Sequence, residues 1–224
     1  MMDSRQLQIN KNLEDILARL DGRAGLVAVS KIYPAKDVEL AYLQGQRDFG
    51  ENKVQDLLDK SLDLQSSCPK IHWHFIGKLQ SNKINQLLRV PNLVSIHSID
   101  SIKLLNKLLS KNVDKKIGLF LQYNTSGEKE KGGFESLEEL FEAKGLLESS
   151  ESFYLQGLMT MGSIRSSDFE KSAKECFSQL RELSIKLGQD SLELSMGMSQ
   201  DFEIALEEGS SWVRVGSAIF GKRD

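Results

Sequence analysis

Lys31 closes the apolar run Leu26-Val27-Ala28-Val29-Ser30, which reads as a short buried strand, and the chain then turns through Tyr33-Pro34 into a helical pattern. An amine held at the mouth of a core strand is partly stripped of water. That favours its neutral, nucleophilic form and points to carbonyl condensation, which is Schiff-base chemistry. A lysine ending a strand also reaches solvent along its own apolar stem, so this residue alone assigns no reaction. Two further segments bear on the question. Gly197-Met198-Ser199 is expected to open a helix, where free N–H groups and the helix dipole favour a phosphate and the Ser199 hydroxyl adds a donor. Gly216-Ser217 allows close backbone approach. Each alone also reads as an N-cap serine or a tight turn. Arg214 alternates with Trp212 and Gly216, so one strand face carries the arginine. A pyridine nitrogen facing that guanidinium would accept a hydrogen bond and stay unprotonated, although a surface ion pair is the ordinary role of such a residue.

These residues meet only if the fold brings them together, and the rest of the chain predicts that it does. A first helix carries Leu13, Ile16, Leu17 and Leu20 and ends near Gly22. Strand-like runs then alternate with helical patterns: 26–30, 47–50, 71–76, 93–96, 117–122, 154–160, 192–196 and 212–219 read as strands. The intervening helices include one over Leu79, Ile84, Leu87 and Leu88, one capped by Asp100-Ser101, and one bearing Leu137, Leu140, Phe141 and Leu147. Eight strands with intervening helices and one helix leading in predict an α/β fold, a single (β/α)8 TIM barrel spanning 1–224 whose N-terminal helix completes the outer ring. The competing open doubly wound sheet lacks its G-x-G-x-x-G after the first strand. In a barrel, reactive residues gather at strand C-terminal ends. Lys31, Asn52, His74, Gly77, Asn124, Met159, Ser199 and the segment Arg214 to Ser217 are therefore expected on one rim, with a phosphate between the loops after strands seven and eight. The polar loop 124–133 is expected to overhang that rim as a mobile lid.

Composition excludes several classes. Twenty-nine basic against 32 acidic residues, net −3 and interspersed, give no global attraction to nucleic acid or to an anionic membrane. The N-terminus lacks the apolar core of a signal peptide, and no apolar run approaches the roughly 20 residues that span a bilayer, so a cytoplasmic protein is expected. The two cysteines, Cys68 and Cys176, and the three histidines lack metal-ligand spacing, so no metal is expected.

An aldehyde-reactive lysine, a phosphate cradle and a ring-nitrogen partner together describe a site for pyridoxal 5′-phosphate (PLP). The chain also resembles the YggS/PROSC family of PLP homeostasis proteins. The resemblance rests on Val27-Ala28-Val29-Ser30-Lys31, Phe49-Gly50-Glu51-Asn52, His74-Phe75-Ile76-Gly77 with Leu79-Gln80-Ser81-Asn82-Lys83, Gly157-Leu158-Met159-Thr160-Met161, Ser195-Met196-Gly197-Met198-Ser199, and Val213-Arg214-Val215-Gly216 with Ile219-Phe220-Gly221. It implies the barrel of the alanine racemase N-terminal domain. It further implies a PLP aldimine on Lys31, phosphate binding by Ser199, Gly216 and Ser217, Arg214 facing the ring nitrogen, and Asn52 lining the site. His74 and Met198 complete the candidate cofactor-binding set. The departures are Gly132-Gly133 after Lys131 and a serine at 217 where threonine is common.

The resemblance implies a monomer that binds PLP and related B6 vitamers, buffers the reactive aldehyde and delivers it to apo-enzymes. The alternative is a PLP-dependent, racemase-like enzyme with weak activity. That chemistry works best with a protonated ring nitrogen, which Arg214 opposes, and needs an acid or base on the opposite face of the substrate. In racemases of this fold the second base is a tyrosine from a further domain, which a chain ending at Asp224 is not expected to supply; Tyr33 and Tyr123 are the rim tyrosines. No catalytic residue is assigned.

Overall fold

The computed structural model describes residues 3–128, 131–162, 168–188 and 192–221. Helix α1 (Ser4–Leu20) leads into a strict alternation: β1 (Gly25–Val29), α2 (Ala35–Leu43), β2 (Asp48–Glu51), α3 (Val54–Asp63), β3 (His72–Phe75), α4 (Ile84–Leu87), β4 (Leu93–Ile99), α5 (Ile102–Leu109), β5 (Ile117–Gln122), α6 (Leu137–Glu148), β6 (Phe153–Met159), α7 (Phe169–Lys186), β7 (Glu193–Met198), α8 (Phe202–Glu207), β8 (Trp212–Val215) and α9 (Ser217–Phe220). The strands pair in parallel in chain order, and β1 pairs with β8 to close the barrel. This is the architecture expected from the alternation, and closure leaves no free sheet edge.

The N-terminal helix completes the ring for visible reasons. Asp3 caps it by accepting from the Gln6 N–H at 2.7 Å, and it ends where Asp21 turns left-handed at φ 49°. Ile9, Leu13, Ile16 and Leu20 are buried, each burial worth about 2 kcal/mol. Leu17, expected on that face, is 45% exposed. Arg5 pairs with Asp37 of α2, and Asn12 Nδ2 donates to the Ile219 carbonyl of α9 at 2.8 Å, so α1 bridges the two ends of the ring.

Several boundaries differ from expectation. Strand β8 stops at Val215 because Gly216 bends the chain into the single turn of α9. Strand β7 runs on through Met198, and α8 begins only at Phe202, so Gly197-Met198-Ser199 does not open a helix. Leu79 lies outside any helix; a 3-10 turn, Ser81–Lys83, and the single turn of α4 follow it. Phe141 is 47% exposed. Strand β4 extends past Ile96 through His97 and Ser98, whose polar side chains are buried. Among the described residues no helix is long and apolar enough to cross a membrane, and no group of three His, Cys, Asp or Glu could hold a metal.

Candidate functional site

A cavity of about 580 Å³ opens at the C-terminal ends of the strands. Its size suits a cofactor-sized ligand. Of the residues expected on the rim, Lys31, Asn52, Gly77, Ser199, Arg214, Gly216 and Ser217 line it, as does Met198 of the candidate cofactor-binding set. Asn124 and Met159 do not. His74 is also absent from the lining: its side chain turns into the barrel interior, 2% exposed, and bonds Asp48, Ser95 and His97. The alternation of β3 puts position 74 on the inward face, below the mouth rather than at it.

Lys31 stands in a turn closed by the Tyr33 N–H donating to the Ser30 carbonyl at 3.0 Å. The next residue, Ile32, has φ 71°, a left-handed conformation that a β-branched residue rarely adopts. Such strain persists only where the surroundings over-determine it. Here Tyr33 is fixed by its hydroxyl donating to the Gly221 carbonyl at 2.6 Å and by its ring lying 5.0 Å from Phe220. Behind the turn, Lys60 of α3 donates to the Ser30 carbonyl at 2.7 Å and pairs with Glu51, which also accepts from Ser30 Oγ at 2.8 Å. Burial pushes the Glu51 carboxyl up, while Lys60 and Ser30 pull it back. This trio, with Ser30 and Glu51 fully buried, ties the end of β1 to the end of β2 and so delivers Lys31 and Asn52 to the cavity. No hydrogen bond or ion pair occupies the Lys31 amine among the described residues.

Gly77 completes that corner. A Cβ there would stand 2.0 Å from the Asn52 carbonyl oxygen, a backbone atom that cannot swing aside. Gly77→Ala is expected to push the end of β2 outward and cost about 2 kcal/mol or more. Urea unfolding of the variant checks this; unchanged stability would show that the corner is looser than the geometry implies.

Opposite Lys31, the segments after β7 and β8 meet. Ser199 Oγ lies 3.4 Å from both the Gly216 N–H and Ser217 Oγ. Gly216 passes so close to β1 that a Cβ would lie 2.9 Å from the Val29 carbonyl. The N–H groups of Ser217 and Ala218, at the start of α9, have no acceptor among the described residues. Ser199, Gly216 and Ser217, the residues expected to form an anion cradle, are therefore brought together at the cavity mouth. The Met198 N–H does not join them; it donates to Asp201 at 2.5 Å.

Arg214 is 6% exposed and anchored from below, donating to Ser195 Oγ at 2.6 Å and to the Thr160 carbonyl at 2.9 Å. Burial lowers its guanidinium from the ordinary arginine range to about 10, with the charge of Asp201 opposing the shift, so it remains a cation at neutral pH. It has no ion-pair partner among the described residues. A buried cation with spare donors facing a cavity calls for an acceptor there.

Sequence reasoning missed Glu51, Lys60 and Asp201 as supports, and Gln122 and Lys131 as lining. The described parts of 124–133 are anchored rather than free: Gln122 Nε2 donates to the Lys131 carbonyl at 2.6 Å and Lys131 Nζ to the Gly162 carbonyl at 2.5 Å. The expected lid meets the cavity through Lys131, and its positions 129 and 130 lie outside the described residues.

Residues 6–224 match the family model of the alanine racemase N-terminal domain. The pyridoxal phosphate homeostasis protein of Mus musculus is 46% identical over 211 residues, 89% of this chain and 77% of that protein. Its namesake in Vibrio cholerae is 37% identical over 233 residues, 96% and 97% of the two chains. Among solved structures, PipY of Synechococcus elongatus with PLP bound superposes with a TM-score of 0.84 at 32% identity, covering 96% of this chain and all of that one. Alanine racemase of E. faecalis shares the fold, with a TM-score of 0.75 at 15% identity over 97% of this chain and 58% of its own.

Proposed function

Since the chain belongs to the family of pyridoxal phosphate homeostasis proteins, built on the alanine racemase N-terminal barrel, we propose that it holds PLP on Lys31 and buffers or delivers it to apo-enzymes. The carrying observation is the cavity itself: an amine and a buried guanidinium, both without an ion-pair partner among the described residues, share one mouth with the donors of Ser199, Gly216 and Ser217. The residues present fit that cofactor. Ser199, Gly216 and Ser217 supply donors for its phosphate, Arg214 a donor for its ring nitrogen, and Asn52 and Met198 further walls. His74 acts only from within the barrel. When bound, PLP would supply an aldehyde to the Lys31 amine, whose condensation would release one water and be reversed by hydrolysis.

The carrier reading is favoured over a racemase-like enzyme by two features. Arg214, a donor lining the cavity, would donate to the ring nitrogen and keep it unprotonated, which would weaken the ring as an electron sink. Tyr33 and Tyr123, the rim tyrosines, already spend their hydroxyl protons on the carbonyls of Gly221 and Glu135. Neither is poised as a second acid or base.

Titration of the protein with PLP is expected to raise a visible imine band that saturates at one equivalent per chain. Adding an apo-aminotransferase should then bleach the band in step with the gain in aminotransferase activity. A band that never forms contradicts the binding proposal, and a band that outlasts excess apo-enzyme contradicts delivery. Sustained racemisation of an amino acid, lost in Lys31→Ala, would establish the enzyme reading instead.

A further inference from the structure

The inside of this barrel is not filled by apolar side chains alone, as barrel interiors usually are. Arg214 at the mouth and Asp48 at the opposite end are joined by an unbroken series of polar contacts. Ser195 Oγ lies 2.8 Å from His97 Nδ1, His97 Nε2 lies 2.8 Å from Ser95 Oγ, Ser95 Oγ lies 2.7 Å from His74 Nδ1, and His74 Nε2 lies 3.0 Å from Asp48 Oδ1. Phe120 stacks on His97 at 4.2 Å and Trp212 lies 5.3 Å from His74, flanking the thread with ring faces.

The direction of every link follows from its first member. Arginine has donors only, so its Nη1 must give a hydrogen bond to Ser195 Oγ. The Ser195 proton then has a single acceptor among the described residues, His97 Nδ1. The His97 Nδ1 that accepts this proton carries none of its own, and burial with the nearby Arg214 charge holds the ring well below the usual imidazole range, so it is neutral and its one N–H sits on Nε2. That N–H goes to Ser95, whose own proton goes to His74 Nδ1. The remaining His74 proton, on Nε2, meets the Asp48 carboxylate. Burial raises the Asp48 carboxyl, but the hydrogen bonds it accepts from His74 and His72 help to outweigh this and hold the group below the ordinary range. Asp48 opens β2 and His72 opens β3, so this end lies at the solvent face opposite the cavity, and the His72 side chain there is half exposed.

We infer that Ser195, His97, Ser95, His74 and Asp48 form a one-way hydrogen-bond chain that positions Arg214, with Asp48 as its distant anchor. All five are positioning residues. Each donor polarises the next, and the aligned dipoles run from the buried cation to the carboxylate. With Ser195 and Thr160 holding two of its N–H groups below, the guanidinium presents its remaining donors to the cavity.

The first test needs no cofactor. In full-length protein with ¹⁵N-labelled histidine, long-range proton–nitrogen correlation spectra should show His97 and His74 both protonated at Nε2 and bare at Nδ1. Single His→Gln variants assign the three histidines. Ser195→Ala should release the His97 tautomer, whereas Ser95→Ala should preserve it, because His97 Nε2 also lies 3.1 Å from His74 Nδ1. A proton on His97 Nδ1 in the parent protein, or an unchanged tautomer in Ser195→Ala, overturns the chain. The second test rests on the reading of the cavity as a PLP site. Asp48→Ala, remote from the cavity, should shift the bound-PLP absorbance band and weaken binding about fivefold. Ser195→Ala should weaken it about tenfold, with Ser195→Thr restoring most of the loss. Correct tautomers together with an unaltered PLP spectrum in both alanine variants would overturn the positioning role. Absence of any PLP band in the parent protein would defeat the cofactor reading instead, leaving the tautomers to judge the chain.

Discussion

Lys31→Ala is expected to abolish the visible imine band and to weaken PLP binding about a hundredfold or more, equivalent to about 2.7 kcal/mol. The residual affinity would come from the donors at Ser199, Gly216 and Ser217 and from Arg214, none of which the change touches. Stability should move by less than about 0.5 kcal/mol, since Lys31 is partly exposed and its amine has no partner among the described residues. Lys31→Arg separates charge from covalency: it keeps a cation at the mouth yet has no amine able to condense. Both variants should therefore lack the band, with the arginine form binding PLP only electrostatically. Absorbance titration with equilibrium dialysis reads both quantities, and an undiminished band in either variant would place the imine elsewhere.

The largest expected effect on stability belongs to Lys60→Ala. Glu51 is fully buried, and its Oε2 already lacks a hydrogen-bond partner among the described residues. Removing the Lys60 ammonium would leave a carboxylate in the barrel wall with only Ser30 to satisfy it, which costs about 3 kcal/mol or more. The pH dependence follows from the direction of the Glu51 shift. A carboxyl whose folded pKa is raised is neutral in both states at low pH and loses stability as pH rises above the unfolded value toward the folded one. The deficit of Lys60→Ala should thus be smaller near pH 5 than near pH 8. Pairing it with Glu51→Gln should recover much of the loss. Urea melts at the two pH values check this, and an equal deficit at both would mean that Glu51 is not the cause.

The barrel was legible because its strands are short apolar runs at regular spacing, and closure then brings the ends of the first and last strands together. Lys31 and Arg214 could be placed for the same reason, each by its position at the end of its own strand. Other parts were hidden by their tertiary setting. His97 and Ser98 look like the polar end of a strand, and only inside a closed barrel do they continue it as buried members. His74 was assigned to the rim from its place near a strand end, but the pleat turned it inward. Glu51 and Lys60 read as ordinary charges until α3 folds back over β2 and sets the Lys60 ammonium against the buried Glu51 carboxylate. Gly197-Met198-Ser199 resembled a helix start, yet Asp201 captures the Met198 N–H and delays α8. Ser199, Gly216 and Ser217 meet because they end neighbouring strands, whereas the Met198 N–H, expected to join them at a helix start, is turned toward Asp201.

The most direct test of the account is reduction of the PLP-loaded protein with borohydride, followed by digestion and mass mapping of the modified peptide. Reduction turns a C=N bond into a permanent secondary amine. The label is expected on Lys31 alone at one equivalent of PLP; a label on another amine, such as Lys131, or no label at all, would contradict it.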